Sequence, residues 1–413
     1  MGKNLSPLEN RKTGSYFFNN SRSSISPLWY NVYMDTNSLF QSFKDYFNSK
    51  PQFIVRAPGR VNLIGEHTDY NDGFVLPMAI DRAVWLAIHP RSDGQVRIHS
   101  LDLKTEATFQ LDSLTPGTGW IEYPKGVASE LMKAGYKLHG FDAVMTGDVP
   151  RGAGLSSSAA VELAVARAFA TVSNFDWDPP TMASISQKAE NHWVGVNCGI
   201  MDQMASAACK AGHALFLDCR SLEIQQAPLP HGVSVVILDT STRRGLVDSA
   251  YNERRSQCEE AARWFRVKAL RDVGVEELSK WNVESELSEV AFRRARHIVT
   301  ENARVLEAIE MMRNGDVKRL GELFNASHAS LRDDFEVTNE ALNMMVECAN
   351  DQKGCHGARM TGAGFGGCAV ALVEEKEAET FTQSISSAYR QRSGLEANIY
   401  VCKASEGANL IEF

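Results

Sequence analysis

Residues 147–160 read GDVPRGAGLSSSAA, and the elements on either side of them decide the fold of this part of the chain. The apolar segment Phe141–Val144 before them is predicted to be a strand, and Ser157–Ala170 after them a helix. Glycines let a backbone approach a ligand closely, and the free N–H groups of a first helical turn favour a phosphate. The serine hydroxyls add donors and a metal ligand. The pattern therefore predicts a phosphate loop, with a capped glycine turn as the alternative.

Two better-known glycine patterns are excluded. The loop of the common NTPases contains Gly-Lys-Ser/Thr, whereas the only Gly-Lys dipeptide of this chain is Gly2-Lys3. Residues 357–368, GARMTGAGFGGC, contain G-x-G-x-x-G. A dinucleotide site needs a helix after that pattern, but Cys368–Val373 is predicted to be a strand. A loop folding over a substrate or phosphate and a bulged hairpin turn remain open for this third segment.

Residues 56–70, RAPGRVNLIGEHTDY, concentrate polar side chains between glycine turns. Arg60, Glu66, His67 and Asp69 lie within ten residues. A polyhydroxylated substrate needs such a set, because carboxylates and an imidazole can read the position and stereochemistry of each hydroxyl. The segment therefore favours a sugar site, and a solvated loop is the alternative.

Two further carboxylates fall between these segments. A helix predicted to begin at Pro179 and to end near Val196 carries Glu190, and Asp202 follows in the segment CGIMDQ, residues 198–203. Phosphoryl transfer needs Mg²⁺ held by oxygen ligands and a group that orients or deprotonates the attacking hydroxyl. One acid could serve each task, although spacing alone leaves ordinary surface carboxylates open.

Composition limits the classes of function. The chain has 413 residues, with 43 Lys+Arg against 51 Asp+Glu, so its formal charge is 43 − 51 = −8. No general positive field is present to collect nucleic acid or an anionic membrane surface. The eight cysteines form no C-x-x-C pair, which argues against a zinc knuckle and suits free thiols in a reducing cytoplasm. No apolar run approaches the roughly 20 residues of a membrane helix.

Strands mixed with helices predict the α+β class. Residues 74–110 alternate between apolar and polar, as half-buried antiparallel strands do. A buried strand at Val233–Leu238 begins a second half, so a boundary is placed near residue 230, giving domains 35–230 and 231–413. Residues 1–34 are rich in Ser and Asn and are expected to form a disordered extension. The second half contains a helix with an apolar stripe ended by Gly315; the stripe comprises Ile298, Val305, Leu306, Ile309 and Met312.

In chain order, the three segments are residues 56–70, 147–160 and 357–368. Together they resemble the GHMP small-molecule kinases, and among them the members that act on galactose. The resemblance covers residues 37–413. The matching motifs are Gly59–Pro77, Trp120–Val127, Gly152–Ala160, Gly199–Gln203, Arg294–Asn302, Ser327–Arg332 and Gly357–Gly367. It implies an N-terminal domain with a mixed sheet and helices, a C-terminal ferredoxin-like α/β sandwich, and an active site in the cleft between them.

The resemblance also implies roles for single residues. Asp202 would be the catalytic base, and Arg60 would support it and stabilise developing negative charge. Ser158 and Glu190 would hold Mg²⁺. The residues expected to bind the sugar are Glu66, His67, Asp69, Gly199 and Tyr251. The residues expected to bind ATP are Trp120, Gly152, Ala153, Gly154, Leu155, Ser156, Ser157, Ser158 and Ala159.

The activity implied is transfer of the γ-phosphoryl group of ATP to the anomeric hydroxyl of galactose, in a cytoplasmic monomer that binds neither nucleic acid nor membrane. A sister kinase acting on L-arabinose, galacturonate or N-acetylgalactosamine is the first alternative, because small changes in a pocket move such a preference. A non-catalytic sensor of sugar and ATP is the second. Such a sensor would be expected to lose parts of the phosphate loop or the acid, and both are intact here.

Overall fold

The computed structural model describes residues 35–242, 247–282 and 286–412. The strands in this part of the chain are β1 (Phe53–Asn62), β2 (Phe74–Val75), β3 (Pro77–Pro90), β4 (Gln95–Ser100), β5 (Thr105–Gln110), β6 (Phe141–Gly147), β7 (His213–Asp218), β8 (Ile224–Pro228), β9 (Val233–Asp239), β10 (Cys355–Thr361), β11 (Cys368–Glu374), β12 (Asn398–Cys402) and β13 (Asn409–Ile411). The predicted extension, residues 1–34, lies outside it.

Helices of the same part of the chain follow or separate these strands. The α-helices are α1 (Thr36–Phe47), α2 (Glu122–Lys133), α3 (Ser157–Ser173), α4 (Pro179–Lys188), α5 (Met201–Ala208), α6 (Val247–Phe265), α7 (Glu289–Asn314), α8 (Val317–Asp333), α9 (Glu340–Asn350) and α10 (Ala378–Ser393). A π-helical turn, Ala189–Val194, extends α4. None of these helices, within the residues described, combines the length and apolar character of a membrane span.

The first sheet has six strands in the order β13-β1-β3-β6-β4-β5. Its pairs are antiparallel except β4 with β6, which are parallel. The antiparallel pattern expected for residues 74–110 therefore holds for β4 with β5, while β4 departs from it on the inner side, where it pairs with β6 in parallel. Helices α3 and α5 pack against β1, which is buried along nearly its whole length. A further small sheet has three strands in the order β2-β7-β8.

The second sheet has four antiparallel strands in the order β10-β11-β9-β12. Numbered within this half of the chain, that order is 2-3-1-4, which is the ferredoxin-like arrangement. The predicted α+β class and ferredoxin-like sandwich are thus confirmed. β13 then leaves this half and pairs with β1, with Ile54 opposite Ile411, while residues 36–413 form one compact unit. The boundary near residue 230 falls between β8 and β9 and stays a prediction.

The helices and strands predicted from periodicity are present. Ser157 begins α3, β6 covers Phe141–Val144, and β9 covers Val233–Leu238. Gly315 ends α7 in the left-handed conformation, as a C-terminal glycine does. One position of the predicted α7 stripe is wrong. Leu306 is 45% exposed, because it lies next to Val305 in sequence and points away from the face that Val305 buries.

Candidate active site

Asp202, the predicted catalytic base, is bound to Arg60. Asp202 is the second residue of α5, and Arg60 lies near the end of β1. Nε of Arg60 donates to Oδ1 of Asp202 at 2.8 Å, and Nη2 lies 2.6 Å from the same oxygen. The Arg60 side chain is 6% exposed and that of Asp202 is 27% exposed. The buried guanidinium balances the carboxylate charge, and the partial exposure leaves the carboxylate accessible to a ligand.

The other carboxylate oxygen of Asp202 accepts a hydrogen bond from the hydroxyl of Ser156. Ser156 immediately precedes α3 and has a left-handed backbone, with φ of 57°. Its expected role was in the phosphate loop alone. The structure joins it to the predicted base as well, so the loop and Asp202 are held in one geometry.

Arg60 also binds the backbone of the phosphate loop. Its Nη1 donates to the carbonyl of Gly154 at 2.6 Å, and its backbone N–H donates to the carbonyl of Leu155 at 3.1 Å. The register of β1 against β3 shifts just before Arg60, which is a β-bulge that re-aims the side chain. A Cβ atom at Gly59 would lie 2.7 Å from the Leu155 carbonyl oxygen. Only glycine lets the loop pack this closely on β1.

The predicted phosphate loop is a tight turn between β6 and α3. Gly152 and Gly154 have φ of 69° and 80°, a region that favours glycine. Ala153 and Leu155 between and after them are buried in the core. Because these two side chains point into the core, the loop presents its backbone to solvent. Ser157–Ala159 lie at the beginning of α3, where a helix favours anions.

A cavity of about 200 Å³ lies beside this loop. Arg151, Ser157, Ser158 and Trp120 are among its lining residues. Trp120 is held by a hydrogen bond from its indole N–H to Oγ1 of Thr105 at 3.2 Å. The structure thus places Trp120, one of the residues expected to bind ATP, beside the predicted phosphate loop. The cavity combines its flat aromatic ring with hydroxyl donors.

Glu66, a predicted sugar ligand, is bound mainly to the third glycine segment. Its Oε1 accepts from the Gly362 N–H at 2.7 Å and from Oγ1 of Thr361 at 3.0 Å. Its Oε2 accepts from Nδ2 of Asn62 at 2.6 Å. The side chain is 1% exposed. Residues 362–367 connect β10 to β11 as a hairpin turn, and Glu66 holds that turn against the sugar segment.

Asp69 and Gly199 lie in direct apposition. A Cβ atom at Gly199 would overlap Oδ2 of Asp69, so glycine is required for the carboxylate to occupy this place. Burial raises the pKa of Asp69 to about 6, and the negative charge of Asp202 adds to the shift. The two predicted sugar residues therefore meet, and they do so next to the predicted base.

Aromatic rings cover the other side of the sugar segment. Nδ1 of His67 lies 2.9 Å from the hydroxyl oxygen of Tyr70. The His67 ring centroid is 5.6 Å from that of Tyr251 and 4.8 Å from that of Phe335. Tyr251, predicted from a segment far along the sequence, thus joins His67 in one wall. Phe335 belongs to the same wall and was not predicted.

Glu190, the predicted metal ligand, lies in the π-helical turn that follows α4. It is hydrogen-bonded to Ser158, and its Oε2 accepts from Nε2 of Gln203 at 2.6 Å. Burial raises the pKa of Glu190, and the charge of Asp202 contributes. Ser158 and Glu190 are therefore in contact, as the magnesium prediction requires.

Glu162 and Gln203 are functional candidates that the sequence analysis missed. Glu162 is fully buried on α3, and its Oε2 accepts from Nε2 of Gln203 at 3.1 Å. Burial raises the pKa of Glu162 well above its ordinary range, with Glu190 adding to the effect. The places of both residues in the sequence could have identified them as candidates. Glu162 lies one helical turn after Ser158, and Gln203 follows Asp202 directly.

Oxygen donors from Ser158 and Glu190 fit Mg²⁺, which takes one or two protein carboxylates and completes its shell with phosphate oxygens and water. Within the described residues, no group of three or more His, Cys, Asp and Glu side chains is arranged to hold a metal by itself.

Three family models match separate parts of the chain. The galactokinase galactose-binding signature matches residues 41–90. The GHMP kinases N terminal domain matches residues 122–210, and the GHMP kinases C terminal matches residues 306–391. The first match contains Arg60 with the sugar segment, and the second contains the phosphate loop with Asp202.

A galactokinase of Roseiflexus sp. (strain RS-1) is 46% identical over 384 residues, which are 92% of this chain and 98% of that protein. The chain belongs to the galactokinase family. The predicted resemblance to the GHMP small-molecule kinases is thereby confirmed. As a member of the galactokinase family, the protein is a sugar kinase, a phosphotransferase, and this prediction is also confirmed.

Solved structures agree with this assignment. The galactokinase of Lactococcus lactis, in a crystal structure complexed with galactose, has a TM-score of 0.86 and 36% identity over 91% of this chain and 99% of that one. The mevalonate kinase of Methanococcus jannaschii has a TM-score of 0.63 at 17% identity, over 86% of this chain and 98% of that one. The second likeness shows that the two proteins share a fold.

Proposed function

We propose that the protein transfers the γ-phosphoryl group of ATP to the anomeric hydroxyl of galactose, giving galactose 1-phosphate and ADP. The observation that carries the proposal is the placement of Asp202. Its carboxylate binds Arg60 of the sugar segment and Ser156 of the phosphate loop. A single acid therefore faces both the acceptor and the donor of a phosphoryl transfer.

Asp202 is proposed to act as the general base. A sugar hydroxyl is a weak nucleophile, so a carboxylate within hydrogen-bond reach must orient it and accept its proton. Arg60 keeps the Asp202 carboxylate in place and adds positive charge where negative charge develops on the transferring group. Positioning and electrostatic stabilisation would supply most of the rate enhancement, as in other phosphoryl transfers.

The sugar is proposed to lie against Glu66, His67, Asp69, Gly199 and Tyr251. Asp69 and Gly199 support this because they meet beside Asp202, where a hydroxyl of the substrate would need an acceptor. His67 and Tyr251 supply an apolar wall with polar edges, the kind of surface on which a sugar ring packs. Glu66, which is nearly filled with protein donors, would contribute its remaining acceptor capacity.

ATP is proposed to bind with its phosphates on Gly152–Ala159 and its base against Trp120. The cavity between them and the N-terminal end of α3 support this arrangement. Ser158 and Glu190 would hold Mg²⁺. When bound, the metal would neutralise charge on the phosphate oxygens. Gln203 positions the carboxylate of Glu190 through the hydrogen bond from its Nε2.

We further propose a cytoplasmic monomer that binds neither nucleic acid nor membrane, with a domain boundary near residue 230. None of the eight cysteines, all of which the structure describes, forms a disulfide, which suits a reducing compartment. The net charge of −8 argues against a nucleic-acid or anionic-membrane surface.

ADP release from Mg-ATP tests the proposal, with galactose, glucose, L-arabinose, galacturonate and N-acetylgalactosamine supplied in parallel beside a control without sugar. Release well above the control with galactose, and lower with the other four, is expected. Preference for another sugar would leave the site and move the substrate to that of a sister kinase. Release with none of the five, together with sugar binding, would favour the sensor and contradict catalysis.

A further inference from the structure

One face of α7 binds the backbone of the sugar segment at two places and that of β2 at a third. Nε2 of His297 donates to the carbonyl of Glu66 at 3.1 Å. Oε1 of Glu301 accepts from the N–H of Gly65 at 2.9 Å. Oδ1 of Asn302 accepts from the N–H of Phe74 at 2.9 Å. The helix therefore holds both the turn that carries the sugar residues and the strand after it.

The imidazole of His297 is suited to this contact. It is fully buried, and burial lowers its pKa to about 4, so the ring is neutral. Nε2 donates to the Glu66 carbonyl, and Nδ1 lies 2.9 Å from Oγ of Ser330, whose hydroxyl is also 3.2 Å from Oδ2 of Asp334. The ring is therefore held at both nitrogens.

Glu301 is the charged member of this face and is completely buried. Burial alone would raise its pKa, but the positive charges of Arg304 and Arg359 and the hydroxyl of Ser327 lower the pKa to about 2, so the carboxylate is ionised. Its Oε2 accepts from Nε of Arg304 at 2.7 Å, and its Oε1 accepts from the hydroxyl of Ser327 at 2.6 Å. Oε1 thus serves Ser327 and the Gly65 N–H together.

Arg359, from β10, links this carboxylate to the sugar segment a second time. Its Nη2 lies 3.8 Å from Oε1 of Glu301, and its Nη1 lies 3.5 Å from Oε1 of Glu66. The same Nη1 donates to the carbonyls of Asn62 and Leu63 at 3.2 and 3.1 Å. The side chain is fully buried. The turn from residue 62 to residue 66 is therefore enclosed by charged groups that belong to the second half of the chain.

Gly65 lets the turn pack closely against α7. Gly65 has φ of 101°, and a Cβ atom there would lie 2.9 Å from Cγ2 of Val305 and 2.6 Å from the carbonyl oxygen of Phe74. The backbone thus rests directly on the helix, one turn after Glu301. Contacts this close fix the position of Glu66, His67 and Asp69 relative to α7.

From this geometry we infer that Glu301 is a positioning residue for the sugar, acting through the Gly65 N–H and Arg359, and that it does not act on the nucleotide. This inference rests on the proposed sugar site and assigns a role to the matching motifs Arg294–Asn302 and Ser327–Arg332, whose side chains have no part in the proposed chemistry. The contacts of Glu301 and Arg359 with backbone outside α7 lead to the sugar segment, and the cavity beside Trp120 is lined by other residues.

The test measures galactose Kd without nucleotide, and kcat and KM for both substrates, in Glu301→Gln. The amide keeps one acceptor oxygen but loses the charge that Arg304 and Arg359 face. Galactose Kd should rise about tenfold or more, while KM for ATP stays within about twofold. The matched control is Glu307→Gln on the same helix, where Glu307 makes an exposed ion pair with Arg319 at 2.6 Å; all of its constants should stay within about twofold.

Ser327→Ala keeps the inference testable if the buried Glu301 variant does not fold. This substitution removes one donor to Glu301 and one acceptor of Arg359, and a rise of about three- to tenfold in galactose Kd is expected with KM for ATP unchanged. Galactose affinity within twofold of wild type in a folded variant, or equal losses of sugar and ATP affinity, would overturn the inference. A wild-type protein that does not bind galactose would instead contradict the proposed function.

Discussion

Arg60 binds a single carboxylate oxygen of Asp202 through both Nε and Nη2, at 2.8 and 2.6 Å. The second oxygen is left to the hydroxyl of Ser156. The proposed base is therefore oriented by the sugar segment and the phosphate loop before any substrate is bound. Preorganisation of this kind lowers the reorganisation needed in the transition state.

Asp202→Asn should remove catalysis and leave sugar binding. The amide keeps the shape of the side chain but cannot accept the proton of the attacking hydroxyl. A loss of about 10²–10⁴ in kcat is expected, with galactose Kd within about threefold of wild type. Steady-state kinetics and calorimetric binding measure the two quantities, and a variant with near-normal turnover would remove Asp202 from the role of base.

Ser156→Ala tests the link between the loop and the base. The substitution removes the hydroxyl that donates to Asp202 but keeps the backbone N–H groups of the loop. We expect kcat to fall about tenfold, the effect of one lost hydrogen bond of roughly 1.4 kcal/mol. Ser157→Ala, in the neighbouring position, is the comparison for a hydroxyl with no bond to Asp202. A kcat of Ser156→Ala within about twofold of wild type would show that the contact with Asp202 has no catalytic consequence.

Sugar affinity should depend on pH through Asp69, whose pKa is raised to about 6 mainly by burial. The ionised carboxylate accepts hydrogen bonds from sugar hydroxyls, and protonation removes that capacity. Between pH 7 and pH 5 the ionised fraction falls about tenfold for a pKa near 6, so KM for galactose should rise by about that factor. KM for ATP, measured in the same buffers, provides the reference. A flat galactose profile would contradict the role of Asp69.

Replacing Asp69 should stabilise the fold at neutral pH. The native pKa lies above the unfolded value of 3.8, so the stabilising contribution is complete below the unfolded pKa and is lost as pH rises through about 6. The amide of Asp69→Asn never ionises, so the variant should be more stable than wild type at pH 7.5 by roughly 1–2 kcal/mol. This is less than the full pKa difference would give, because Asp69 is half-buried and solvent screens its charge. Urea unfolding at pH 7.5 and pH 4.5 measures the difference, which should shrink at the lower pH. A variant less stable than wild type at pH 7.5 would be inconsistent with this account.

Gly199→Ala should impair sugar binding because the added Cβ would overlap the Asp69 carboxylate. We expect galactose KM to rise at least tenfold, with a smaller effect on KM for ATP. Gly94→Ala is the control, since a Cβ there would lie 3.9 Å from the nearest heavy atom, Cβ of Leu111. Galactose KM unchanged in the Gly199 variant would show that the contact between the two residues is not part of the sugar site.

Local patterns predicted the elements of the fold, and the resemblance to the kinase family supplied most of the candidate residues and their roles. The strand, glycine loop and helix around Gly152 follow from apolar periodicity and turn residues, and Asp202 and Arg60 from motifs that are contiguous in sequence. The bond from Gly362 to Glu66 spans 296 residues, so no periodicity reveals it. Nor could the burial of Glu162 be read from the sequence, because helical periodicity does not show which helices cover a carboxylate.

The position of the new phosphate ester tests the central claim most directly. Wild-type protein is incubated with Mg-ATP and galactose, and the product is examined by ³¹P NMR with proton coupling. The proposed transfer predicts a phosphorus signal that is split into a doublet and that a ¹H–³¹P correlation connects to the anomeric proton, with product formed at least about 10²-fold more slowly by Asp202→Asn. A correlation with a proton on any other carbon, or the absence of any sugar phosphate, would contradict it.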